Sequence, residues 1–164
     1  MRRGTIVVGL ALVLAACGDG SDAEGMSDAE ALEAVEASQK VPAQELVLDP
    51  IGFGDIELAG ALGFSCTFAA RQKPDVVLAL ASREMGLVKT GGEMVRLAPD
   101  PGSGETVAGS WRNYDGQAIS FTLALEEEGQ PMAPEVTVYP AQLTIRDFNG
   151  DVAYESAGMA ECGV

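Results

Sequence analysis

Across the C-terminal two-thirds of the chain, apolar residues recur at every second position, and this spacing constrains the fold more than any other feature. In "QAISFTLALEEEG", Ile119, Phe121, Leu123 and Leu125 fall on one face, with Ser120, Thr122, Ala124 and Glu126 on the other. In "AQLTIRDF", Leu143 and Ile145 alternate with Thr144 and Arg146. Phe64–Phe68 reads as an earlier strand, and "DVVLALA" as another, apolar enough to be central. Gly91-Gly92, Asp115-Gly116 and Asn149-Gly150 separate such runs, and these pairs tolerate the positive φ that tight hairpins need. The expectation is a mainly β fold, an antiparallel β-sandwich or partly closed barrel, formed by residues 41–164 as a single domain. Pro140 predicts a bend or a sheet edge in "VTVYPAQLTI". One short helical turn is expected at "GDIELAG", with Asp55 near its start and Gly60 ending it.

The N-terminus has a different character. Arg2 and Arg3 precede an apolar run from Thr5 to Ala16, which is shorter than the ~20 residues a membrane span needs. It has the form of a secretory leader. Its last residues, Leu14-Ala15-Ala16-Cys17, resemble the lipobox of bacterial lipoproteins. That resemblance implies cleavage before Cys17 by signal peptidase II, leaving residues 1–16 as the signal peptide. The Cys17 thiol would carry diacylglycerol and the new amino group a further acyl chain such as palmitate. Each buried methylene contributes ~0.8 kcal/mol, so two or more chains make a stable anchor. The expected location is the cell envelope, facing the periplasm. Gly18, not aspartate, follows the cysteine, which favours the outer over the inner membrane.

Residues 17–40 would then form the lipidated cysteine and an acidic tether. "GDGSDAEGM" has the composition of a flexible linker. Ser27-Asp28-Ala29-Glu30 fits a capping box and predicts a short acidic helix, with Lys40 near its negative end and Pro42 barring continuation. Only Leu32 and Val35 make an apolar stripe on it. Fully extended, a spacer of this length reaches ~75–80 Å, and as a coil ~25–30 Å. Loss of Arg2 and Arg3 with the leader leaves 8 basic against 25 acidic residues, a net charge of −17 for the mature chain. No nucleic-acid partner is expected, and attachment to the membrane falls to the acyl chains on Cys17. A basic protein is the partner such charge would attract.

Export implies an oxidising compartment, and Cys66 and Cys162 are the cysteines left once Cys17 is modified. They are expected to form a disulfide. Two cysteines without histidine are too few ligands for zinc. The absence of histidine also removes Ser-His-Asp triads and Cys-His pairs, and no Ser-x-x-Lys occurs. Gly102-Ser103-Gly104 lacks the lysine of a phosphate loop, and Gly52-Phe53-Gly54 lacks the third glycine of a dinucleotide fingerprint. Asp147, Asn149 and Asp151 match the first positions of a calcium loop, but glycine comes two positions early and Gly158 stands where glutamate is needed. A hairpin is the better reading. Glu126-Glu127-Glu128 reads as a solvated strand end, and Trp111 with Tyr114 as aromatics flanking a hairpin, with sugar stacking as the alternative. No catalytic residue, metal or cofactor is expected.

The stretch "PIGFGDIELAGALGFSCTF", with "VKTGGEMVRL" and "ECG" after it, resembles an uncharacterised group of small Gram-negative envelope lipoproteins. That resemblance supports the fold and the Cys66–Cys162 pairing and implies no activity. A second resemblance is to membrane-bound inhibitors of c-type lysozyme, whose binding loop carries Ser-Gly followed two residues later by tyrosine. Here Ser103-Gly104-Glu105-Thr106 leads to Val107. The function expected is a non-enzymatic β-domain that binds or scaffolds, with inhibition of a basic lytic enzyme as the alternative.

Overall fold

The computed structural model describes residues 27–39 and 45–163. The leader, Cys17, the start of the tether, Lys40 and Pro42 lie outside the described residues. Two units are distinguished, residues 1–40 and residues 41–164. In the first, helix α1 spans Asp28–Gln39. Its cap is reciprocal: the Ser27 N–H donates to Glu30 Oε2 at 2.8 Å, and the Glu30 N–H donates to Ser27 Oγ at 3.3 Å. The Ser27 N–H and hydroxyl hold the Glu30 carboxyl below its usual range. Leu32 and Val35 are exposed.

The second unit is an antiparallel barrel with an added strand. Its strands are β1 (Ser65–Ala70), β2 (Val77–Ser82), β3 (Gly86–Thr90), β4 (Glu93–Pro99), β5 (Asn113–Asp115), β6 (Ile119–Leu125), β7 (Gln130–Ala133), β8 (Val136–Asp147) and β9 (Val152–Gly163). They lie in the order β6-β5-β4-β3-β2-β1-β9-β8-β7, and a further β6–β8 pairing closes eight of them into a ring. The short β7 continues the neighbour position of β8 beyond the end of β6. The period-two reading therefore resolves to full closure.

All three expected hairpins are present. Thr90 pairs with Glu93 across Gly91 and Gly92, at φ 57° and 79°. Asp115 pairs with Ser120, with the Gly116 N–H donating to the Ile119 carbonyl at 2.9 Å. Gly150, at φ 83°, turns β8 into β9. The first arm of the second hairpin is short. Only Asn113–Asp115 pairs, because Val107–Gly109 forms a 3-10 turn that buries Ser110.

The barrel interior is filled by large side chains set against very small ones. Phe68, Tyr114, Leu143 and Ile145 are fully buried, and Phe121 and Leu123 nearly so. The Tyr114 and Phe121 rings pack 4.8 Å apart. Gly86 faces them, and a β-carbon there would sit 2.7 Å from both rings. Gly158 leaves room in the same way for the Phe68 ring and the Ala69 carbonyl. Ile119 and Leu125 pack at the margin.

The segment from Glu45 to Phe64 starts against the barrel core, where Leu48 is buried, and continues as a strap over β3 and β2. It is held by backbone bonds from Leu46 to Ala153, Asp49 to Lys89 and Ile51 to Val77. Helix α2 (Phe53–Leu58) lies within it, with Gly60 at φ 67° just beyond, as "GDIELAG" predicted. The Asp55 carboxylate accepts from the Gly52 N–H at 2.8 Å and from Lys89 Nζ at 3.0 Å. These two donors, the Gly52 N–H foremost, hold the Asp55 carboxyl below its ordinary range. Arg96 Nη2 donates to the Ala59 carbonyl. Under the strap, Ile51, Ala61, Leu80, Met85 and Leu87 form a second small core. Thus β2 is covered on both faces, which is why "DVVLALA" lacks alternation.

Pro140 lies where one neighbour of β8 changes. Gln130 pairs with Val138 and Leu125 with Ala141, so the proline, with no N–H to offer, sits at the junction. Cys66 and Cys162 are directly opposite in the β1–β9 pair and are joined by a disulfide, with α-carbons 4.0 Å apart.

Candidate functional site: a groove at the barrel mouth

Strand directions gather one set of connections at a single end of the barrel. Ser65 at the start of β1 meets Ser82 and Gly163, and the β2–β3 turn, the β4–β5 loop and the β7–β8 turn lie at the same end. The β4–β5 loop folds inward there and is built from its own hydrogen bonds. The Ser110 hydroxyl meets Thr106 Oγ1 at 2.6 Å and the Val107 carbonyl at 2.8 Å, and stands 3.5 Å from Cys66 Sγ. Ala108 takes φ 54° to let the loop turn over the disulfide.

Tyr114 anchors this end from inside. Its hydroxyl donates to the Ser82 carbonyl at 2.6 Å and accepts from the Trp111 N–H at 2.9 Å. Burial pushes its phenol up to about 12, against the opposing pull of the Trp111 N–H. The Trp111 indole N–H donates to the Arg83 carbonyl at 3.1 Å, and Arg83 pairs with Glu105 at 2.7 Å. The β2–β3 turn and the β4–β5 loop are thereby locked together. Trp111 and Tyr114 do not form a shared surface for stacking a sugar, because Tyr114 lies in the core.

Between the inturned loop and β8 remains a groove of about 340 Å³. Phe64, Val107, Ala108 and Cys162 give it apolar walls, and Glu135, Thr137 and Tyr139 supply polar groups. Thr137 and Tyr139 face inward because they lie opposite Cys162 and the buried Ala160. Among the described residues, no hydrogen bond or ion pair engages the side chains of Glu135, Thr137 or Tyr139. Glu135 occupies the β7–β8 turn at φ 62°, with its backbone against Gly163, where a side chain would collide with the Glu135 carbonyl. Gly129 presses on the Thr137 and Tyr139 side chains from the β6–β7 linker. Phe64, 58% exposed, stands between this groove and a cleft of about 150 Å³ lined by Leu62, Arg83 and Met85. A site of this kind is apolar with a few convergent polar groups on a rigid frame, and barrel mouths commonly carry one.

The sequence drew attention to other residues. Cys66 and Cys162 are brought together in the floor of the mouth, while Cys17 is outside the described residues. Asp147 Oδ1 accepts from the Asn149 and Asp151 N–H groups at 2.9 and 3.0 Å, using the carboxylate to close the hairpin turn. Glu126, Glu127 and Glu128 are exposed on the β6–β7 linker. Ser103 Oγ donates to the Asp100 carbonyl at 2.6 Å and accepts from the Asn113 N–H, so it shapes its own loop. Among the described residues, no group of three acidic or cysteine side chains is placed to hold a metal ion, and no helix is long and apolar enough to cross a membrane. The sequence does not single out Glu135, Thr137 and Tyr139, because the groove they line is completed by a loop some thirty residues earlier in the chain; the inward alternation of Thr137 and Tyr139 is the available signal. In comparisons with known proteins, no family model, no curated protein and no solved structure matches this chain.

Proposed function

We propose that this chain is a lipid-anchored protein of the bacterial cell envelope whose β-domain binds another envelope component without transforming it. The observation that carries the binding half is the mouth groove, where Glu135, Thr137 and Tyr139 line an apolar cleft and, among the described residues, no hydrogen bond or ion pair engages their side chains. The packed barrel interior leaves that activity to the surface and the rim. The anchor rests on Leu14-Ala15-Ala16-Cys17. One experiment in cells addresses both halves. Wild-type protein should incorporate labelled palmitate, and Cys17→Ser should abolish incorporation and either release the protein into the soluble periplasm or leave an uncleaved precursor. A photo-crosslinker at Phe64 should capture a discrete envelope component that the same probe at Thr144, on the outer face, does not. Absence of palmitate overturns the anchor, and equal capture at the two positions overturns the binding face.

A further inference from the structure

Among the described residues, the charge borne by the groove lining is of one sign. No cationic side chain among the described residues lines it: Arg83 borders the adjoining cleft and is engaged by Glu105. Its one ionisable carboxylate, Glu135, is unpaired among the described residues and exposed at the rim. The β6–β7 linker, carrying Glu126, Glu127 and Glu128, runs beside it, since the Glu126 N–H donates to the Pro140 carbonyl and Gly129 packs on Tyr139. These charges belong to a chain whose formal net charge is −15, which attracts cationic partners and repels anionic ones. The volume, about 340 Å³, lies at the lower limit of ligand sites and suits one long side chain better than an extended ligand.

We infer that the mouth is a receptor for a single lysine or arginine side chain presented by a basic protein. The aliphatic stem lies against Phe64, Val107 and the Cys66–Cys162 disulfide, as long cationic side chains do when only their head needs polar company. The head meets the Glu135 carboxylate, with the Tyr139 ring and hydroxyl completing a half-apolar socket. The surrounding glutamates steer the partner and raise its association rate more than its final affinity. This inference rests on the binding face proposed above and adds the nature of what enters it.

The test uses the full acylated chain purified from membranes in neutral detergent, labelled for amide NMR. The probes are end-blocked Gly-Arg-Gly and its uncharged isostere, Gly-citrulline-Gly. The arginine peptide should shift the amides of Thr137, Tyr139 and Cys162 saturably, and citrulline should bind at least tenfold more weakly. Glu135→Gln, which keeps shape and removes charge, should weaken the arginine peptide about three- to tenfold. Tyr139→Leu provides an independent second variant with the same direction of effect. Equal response to both peptides, or equal shifts at Glu155 and Glu161 on the outer face, overturns the inference. If Phe64 crosslinks survive Glu135→Gln unchanged in cells while the peptides do not discriminate, the binding face stands and the cationic side chain falls. If neither crosslink nor peptide shift maps to the mouth, both fall.

Discussion

Tyr114 shows how much one residue can organise. Its ring fills the barrel beside Phe121, and its hydroxyl ties β5 to the β2–β3 turn through the Ser82 carbonyl. Ionising it would place a charge in a dry core and destroy the bond it donates, hence the rise from 10.0 to about 12. The unfolded chain loses that proton first. Stability from this source is therefore complete below pH 10.0 and declines until the pH passes about 12. The gap corresponds to up to ~2–3 kcal/mol. Denaturant titrations at pH 9 and near pH 11.5 should show the decline in the wild type and a smaller one in Tyr114→Phe. At pH 7 the same substitution should cost ~1–3 kcal/mol, because the Ser82 carbonyl and Trp111 N–H lose a buried partner.

At the scale of elements, the strap is the part that a reading by period alone could not assemble. Leu80 and Leu87 point away from the barrel yet are 1% exposed, because Ile51 and Ala61 cover them. Ile51→Ala should lower stability by ~2–5 kcal/mol in chemical denaturation. The loss should be accompanied by faster hydrogen exchange at the Ile51 and Asp49 amides, which bond to β2 and β3. The hairpins were legible because Gly91-Gly92, Asp115-Gly116 and Asn149-Gly150 specify turns locally. Strands β6 and β8 were legible from their alternation. Strand β7 was not, since all four of its residues are exposed and Pro131 interrupts the pattern. The groove was hidden for a related reason: it exists only where β8, the β4–β5 loop and Phe64 meet, and no stretch of sequence contains all three.

For the whole molecule, the decisive contact is the β1–β9 pair, where Cys66 and Cys162 bind strands 96 residues apart. Closing so long a loop in the unfolded chain is worth up to ~4–5 kcal/mol in the chain-entropy description. Cys66→Ala/Cys162→Ala should therefore remain folded, since six backbone register pairs still join the two strands, but should unfold at lower denaturant by no more than that amount. Circular dichroism in urea checks the size of the loss. Thiol titration of the denatured wild type, positive only after reduction, checks the bond. Strand β9 has two neighbours, β1 and β8, so the ring that the β6–β8 pairing closes is opened again when β9 is lost. Its place in the chain gives this geometry a genetic meaning. A stop codon at any position from Val152 to Cys162 removes part or all of that strand and one half of the disulfide, and leaves the matching lengths of β1 and β8 as raw edges open to pairing with other chains. Nonsense changes there should be as damaging as those near the beginning of the domain, and should encode an aggregating product rather than a shortened but serviceable one.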